Sequence, residues 1–245
     1  MATNAVYFDG SGDYGLINNF AGIDALTDGT YTCEMWMKQD TSGSPTYATF
    51  FTFGNATWMT YLVTENATSS TGVNFGYKYT STNADGYKDT GIFTNNVWTH
   101  ISVVFTNAAA TKVYINGTEI SYTLQRTPSG TVHTFDGANF CLARTLGSTS
   151  NDFKGYIGGF VRVWKDVRTV TELNNNKGVH ITGDSDLIIN LMFGEGSGTT
   201  LDNEATASAD LTLTGTSTWG TGPDISGGAS TSVKDIIGGF IPFAR

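Results

Sequence analysis

A chain of 245 residues with 39% hydrophobic and 13% aromatic side chains has ample apolar mass for a packed core, either as one large domain or as two small ones. Its net charge of −9 argues against nucleic acid, which needs clustered Lys and Arg to displace counterions, and against a surface that lies on anionic lipid. Charged residues make up only 14%, while Thr, Asn, Ser and Gly, the residues of solvent-facing strand positions and tight turns, are plentiful.

Short apolar or alternating runs closed by Gly, Asn or Asp recur along most of the chain. The first occupies residues 6–10. In 31–38, Tyr31, Cys33, Met35 and Met37 alternate with Thr32, Glu34, Trp36 and Lys38, which predicts a sandwich strand with one core face. Aromatic-rich runs at 49–53, 58–63 and 73–79 read as an antiparallel meander. Residues 98–105 and 112–115 form the next pair. Asn116-Gly117 then supplies the positive-φ dipeptide of a two-residue hairpin, returning through 118–120. After a long run at 155–164, Thr169 and Glu172 have capping-box spacing, predicting one short helix stopped by Asn174 to Asn176 and Gly178. Residues 187–193 and the leucines at 201, 211 and 213 belong to further strands, ending at Trp219.

This layout predicts an all-β, two-sheet antiparallel sandwich over 1–223, followed by a Gly/Ser-rich linker and an apolar C-terminal peptide at 224–245. Ile236, Ile237, Phe240, Ile241 and Phe243 make that peptide either a last strand or an assembly peptide that docks on a partner. Residues 1–14 carry no Lys, Arg or apolar run, so synthesis without a targeting signal is expected; no stretch is long enough to span a bilayer. Cys33 and Cys141 fall in strand-like runs, which favours two buried free thiols over a disulfide. The sequons at Asn55, Asn66 and Asn116 are accidents of an Asn- and Thr-rich composition.

Three segments carry a family resemblance. They are the opening strand and turn from Phe8-Asp9-Gly10 to Asp13-Tyr14, the central hairpin from Trp98-Thr99-His100 to Asn116-Gly117, and the closing strand from Gly155-Tyr156-Ile157 to Trp164. In this order they resemble the concanavalin A-like lectin/glucanase superfamily, in its laminin G-like branch, over about residues 5–220. The resemblance implies a concanavalin A-like jelly roll. It also implies a structural Ca²⁺ in many relatives, for which Asp9 and Asp13 would be the metal residues, with Asp152 close to the closing strand. Gly158 stands where such relatives commonly carry an acid, so no cofactor is required and Asp9 as a plain turn residue is the alternative.

Retaining glycosidases of this fold use a Glu-x-Asp-x-x-Glu strand that sets two carboxyl groups about 5–5.5 Å apart. The six glutamates here, Glu34, Glu65, Glu119, Glu172, Glu195 and Glu204, form no such pair. His100 reads as a structural strand histidine, and His133 and His180 as loop residues without a metal-spaced partner. Asp184 and Asp186 read as turn acids. A non-enzyme is expected, with a glycoside hydrolase the weakest alternative.

Binding remains. Sugars are held by an aromatic platform with a few placed polar groups, and the loop-rich stretch offers Trp58, Tyr79, Asp85 and Tyr87 as ligand-binding residues. The expected function is a lectin-like adhesion module recognising a glycan or polysaccharide. It would be displayed on a larger assembly such as a phage virion surface, reaching the virion or cell exterior by lysis rather than secretion. The alternative is a structural protein whose C-terminal peptide joins capsid or tail proteins.

Overall fold

The computed structural model describes residues 2–24, 26, 29–40, 48–54, 59–65, 72–77, 84–88, 91–106, 111–127, 129–132, 135, 138–205 and 209–225. At 2, 59–65, 77, 84–88 and 124–125 it describes the backbone alone. The strands are β1 (Ala2–Asp9), β2 (Tyr14–Ile17), β3 (Tyr31–Gln39), β4 (Thr49–Gly54), β5 (Met59–Glu65), β6 (Gly72–Tyr77), β7 (Ala84–Lys88), β8 (Thr99–Phe105) and β9 (Lys112–Ile115). They continue as β10 (Thr118–Ile120), β11 (Thr123–Arg126), β12 (Asn139–Leu142), β13 (Lys154–Trp164), β14 (Leu187–Leu191), β15 (Thr200–Leu201), β16 (Leu211–Thr214) and β17 (Thr218–Asp224). The helices are α1 (Ala21–Asp24) and α2 (Val170–Asn176).

Two antiparallel sheets result, as the jelly-roll expectation requires. One runs β10-β9-β8-β3-β13-β1-β17, with β14 also on β13; the other runs β11-β7-β6-β5-β4-β12-β2-β16-β15. Alternation decides what lies between them. Tyr31, Cys33, Met35 and Met37 face the core with Val6, Phe8, Ile101, Val103 and Val163, opposite Phe51, Phe53, Phe75 and Phe140 of the second sheet. Tyr31 meets Phe53 edge-on across the sandwich at 5.2 Å, and Phe50 meets Phe153 at 5.4 Å. Truncating one of these buried phenylalanines to Ala would cost about 3–5 kcal/mol.

The hairpin forms where expected, with Asn116 at φ 52° and Gly117 at φ 82° between β9 and β10. Two helices are present among the described residues rather than one, because the short apolar segment at Ala21–Asp24 turns once to bury Ile23. The last strand runs on to Asp224, pairing with Ala2, where the sequence suggested a linker. Cys33 and Cys141 are buried free thiols; Cys33 sits in the first sheet and Cys141 in the second.

The outward face of the first sheet is half covered. A register shift between Gly158 and Val161 bends β13, and Gly159 takes φ 70° there with no room for a Cβ, which would lie 2.8 Å from Pro223. Beyond the bend, α2 lies on the sheet and packs Leu173 against Val104 and Tyr114. Beneath it, Glu34 accepts hydrogen bonds from His100 Nε2 (3.1 Å), Arg162 Nη1 (3.2 Å) and Trp164 Nε1 (3.3 Å), all fully buried or nearly so. Before the bend, the described residues leave the face part-exposed.

Candidate functional site

Strand register assembles the open half. Thr218 of β17 lies opposite Tyr7 of β1, Tyr7 opposite Tyr156 of β13, and Tyr156 opposite Lys38 of β3. Because Met37 pairs with Thr99, Trp98 enters β8 beside Lys38. The outcome is one row across five neighbouring strands, each member part-buried except the exposed Thr218. The rings of Tyr7 and Tyr156 are 4.9 Å apart and those of Trp98 and Tyr156 6.3 Å apart, both pairs tilted. Lys38 Nζ stands 4.5 Å from the Tyr156 ring centre and 5.2 Å from that of Trp98, a cation held between two π faces.

The floor beside this row is built from residues with little or no side chain. Gly220, Ala5 and Gly158 follow one another across β17, β1 and β13, and a Cβ on Gly220 would lie 2.8 Å from Tyr156 Cε1. The Tyr156 ring therefore lies against backbone. At the far side Trp36 anchors the floor, its indole N–H donating to the Lys177 carbonyl at 2.9 Å. At the near side the Tyr7 hydroxyl donates to Asp40 at 3.0 Å. Burial, reinforced by that carboxylate, pushes the Tyr7 phenol up to about 12, so it stays protonated and remains a donor. Tilted aromatic faces with a cation and a carboxylate at their edges suit a ligand that has apolar C–H faces and hydroxyl groups.

Of the four ligand-binding residues named from sequence, two are described, and these fall elsewhere. Trp58 and Tyr79 lie outside the described residues. Asp85 and Tyr87 lie on β7 of the second sheet, where the backbone register pairs them with Gly76 and Asn74. The five residues of the C-terminal peptide and His133 also lie outside the described residues. The row of Tyr7, Lys38, Trp98 and Tyr156 was missed. Alternation alone turns Lys38 outward, but only strand order and register bring the other three beside it. A separate cleft of ≈ 530 Å³ between Asn18–Gly22 and Ser185–Ile188 presents amides and small side chains and no exposed ring.

Asp9 and Asp13 do come together, with Asp13 buried and Asp9 exposed. Asp13 accepts the backbone N–H groups of Asp9 (3.1 Å) and Thr216 (2.6 Å). Asp152 accepts the Gly12 N–H (2.7 Å) and both Nε (2.7 Å) and Nη2 (2.5 Å) of Arg144. Every oxygen of the two buried acids already faces a donor, which is not the set a Ca²⁺ takes. Gly158 is no nearer to supplying one. It lies opposite Ala5, four residues along β1 from Asp9, or about 13 Å at strand rise.

Glu34 is sealed beneath α2. His180, which has no metal-spaced partner in the sequence, is bonded in the fold to Glu204, and Asn190 donates to both Ile181 and Glu204 beside them. Asp184 is a turn acid, accepting the Asp186 N–H at 2.9 Å and Arg168 at 3.1 Å.

A fold of two such sheets with a helix-capped outer face places the chain among the lectin-like sandwiches. Its residues 9–174 match the family model of the concanavalin A-like lectin/glucanases superfamily, and the chain belongs to that family. A carbohydrate-binding candidate protein from Bacteroides ovatus has a similar structure, with a TM-score of 0.66 and 19% identity over 90% of this chain and 60% of its own. The leech intramolecular trans-sialidase shares the fold at a TM-score of 0.51 and 15% identity, over 75% of this chain and 28% of its own. This chain thus spans less than two thirds of either protein. No curated protein matches it by sequence. No helix among the described residues is long and apolar enough to cross a membrane.

Proposed function

We propose that this protein is a non-catalytic glycan-binding module whose ligand lies on the open half of the first sheet, over Trp98, Tyr156 and Tyr7. The observation that carries the reading is the row of three part-exposed rings flanked by Lys38 and Asp40. Such a row is costly to leave in water and offers little to the fold, since the core is complete without it. Support comes also from the family, which includes lectins, and from the carbohydrate-binding role suggested for the Bacteroides ovatus protein. The absence of the paired-glutamate strand supports binding without catalysis. The surface is open rather than a pocket, which suits a polysaccharide chain better than a terminal sugar. Display on a larger assembly such as a virion surface, joined through the apolar run at 236–243, is the setting this reading extends to.

A glycan-array screen followed by calorimetry tests the proposal. Trp98→Ala and Tyr156→Ala should each weaken the best ligand about tenfold, the equivalent of about 1.4 kcal/mol, with the Tm little changed. Undiminished binding by both variants would move the ligand to another face. Retained binding with measurable glycan hydrolysis would make the protein an enzyme.

A further inference from the structure

The acids near the first turn have an internal counter-charge. Arg144 follows β12, whose pairing with β2 sets it beside the β1–β2 turn. Its guanidinium grips Asp152 through two nitrogens, at 2.7 and 2.5 Å, while lying 4.3 Å from the Tyr14 ring centre. Asp152 is in turn bonded to Gly12, and Asp13 ties Asp9 to Thr216. These contacts join three separate pieces of chain: the β1–β2 turn, the approach to β13 and the β16–β17 turn. Gly215, at φ 99°, is held so close to Asp13 that a Cβ would lie 2.1 Å from Oδ1, so no side chain fits in the last turn there.

We infer that Arg144 is the resident cation of this cluster, doing with a side chain what a bound Ca²⁺ would do, so that the fold is independent of the metal. A guanidinium fixed on Asp152 neutralises that carboxylate and repels a second cation from it. Its planar fork also donates to both carboxylate oxygens, a geometry that a lysine does not reproduce. The inference is separate from the glycan reading, because the cluster and the aromatic row share no side chain.

The test uses the full chain stripped with EDTA. Titration with CaCl2 in a calorimeter should give no heat, and thermal melts in millimolar CaCl2 and in EDTA should coincide. A resident Ca²⁺ at about 100 times its Kd would instead raise the Tm by several degrees. Arg144→Met should lower the Tm by about 5 °C or more, and Arg144→Lys should recover part of that loss. A Tm of the unmodified protein that rises with Ca²⁺, or an Arg144→Met variant as stable as its parent, would overturn the inference. If Arg144→Met does not fold, the Ca²⁺ titration of the unmodified chain and the melt of Arg144→Lys still decide it.

Discussion

Glu34 shows how much one outward strand position can be asked to do. Alternation turns it away from the core, where a glutamate is ordinarily solvated, yet α2 buries it completely. Burial alone would raise its pKa. The hydrogen bond from His100 and the charge and hydrogen bond of Arg162 outweigh that, so the carboxyl is held below its ordinary value. The sign follows. A group with a depressed folded pKa lends stability that is fully present above its unfolded pKa of about 4.3 and is lost as pH falls through the lower, folded value. Acid melts should therefore show the Tm dropping below about pH 4.5 in the parent, with a shallower drop in Glu34→Gln. That variant should also lose about 3–5 kcal/mol at neutral pH by urea denaturation, because Arg162 is left buried without its charge partner. A neutral-pH stability equal to the parent's would mean that His100, Arg162 and Trp164 are satisfied without the acid.

At the scale of elements, α2 is the piece that divides a covered sheet half from an open one. Both halves of its capping box form: the Thr169 hydroxyl accepts from the Glu172 N–H, and the Glu172 carboxylate accepts from the Thr169 N–H at 2.7 Å. Its other end is satisfied by the sheet. The Asn176 carbonyl accepts from Arg162 at 3.0 Å and the Lys177 carbonyl from Trp36, so the negative end of the helix rests on a guanidinium. Helix and buried network thus complete each other. Thr169→Ala should cost about 1 kcal/mol. Leu173→Ala should cost about 2–4 kcal/mol, since it empties the contact with Val104 and Tyr114. Hydrogen exchange should then speed up at the 170–177 amides ahead of the core strands. Equal acceleration throughout would show that the helix is not a separate unit of stability.

For the whole molecule, the two sheets close on themselves within the described chain. β17 pairs with β1 through Asp224 and Ala2, and Ile225 is buried behind it. A protein truncated after Ile225 keeps every contact described above, and if residues 236–243 are an assembly peptide its Tm and its glycan affinity should match those of the full chain. A fall in stability of several kcal/mol would make residues 236–243 part of the sandwich rather than a peptide for assembly. Much of the fold was legible beforehand because its signals are local. The alternation in Tyr31 to Lys38, the Asn116-Gly117 turn and the Thr169–Glu172 cap each need only a few neighbouring residues to be recognised. Less legible were β17, whose run past Trp219 through Gly220, Gly222 and Pro223 carries no apolar alternation, and α1, too short to show a period.

By itself, then, the sequence determined the class of fold, the family, the core face of each strong strand and the want of a paired-glutamate active site. These depend on period, turn chemistry and residue counts along the chain. Only the tertiary structure decided that Tyr7, Lys38, Trp98 and Tyr156 form one surface and that Arg144 meets Asp152 beside the first turn. Both depend on strand order and register. Pairing in an antiparallel sandwich joins residues far apart in sequence, and a shift of one residue would turn each side chain to the opposite face.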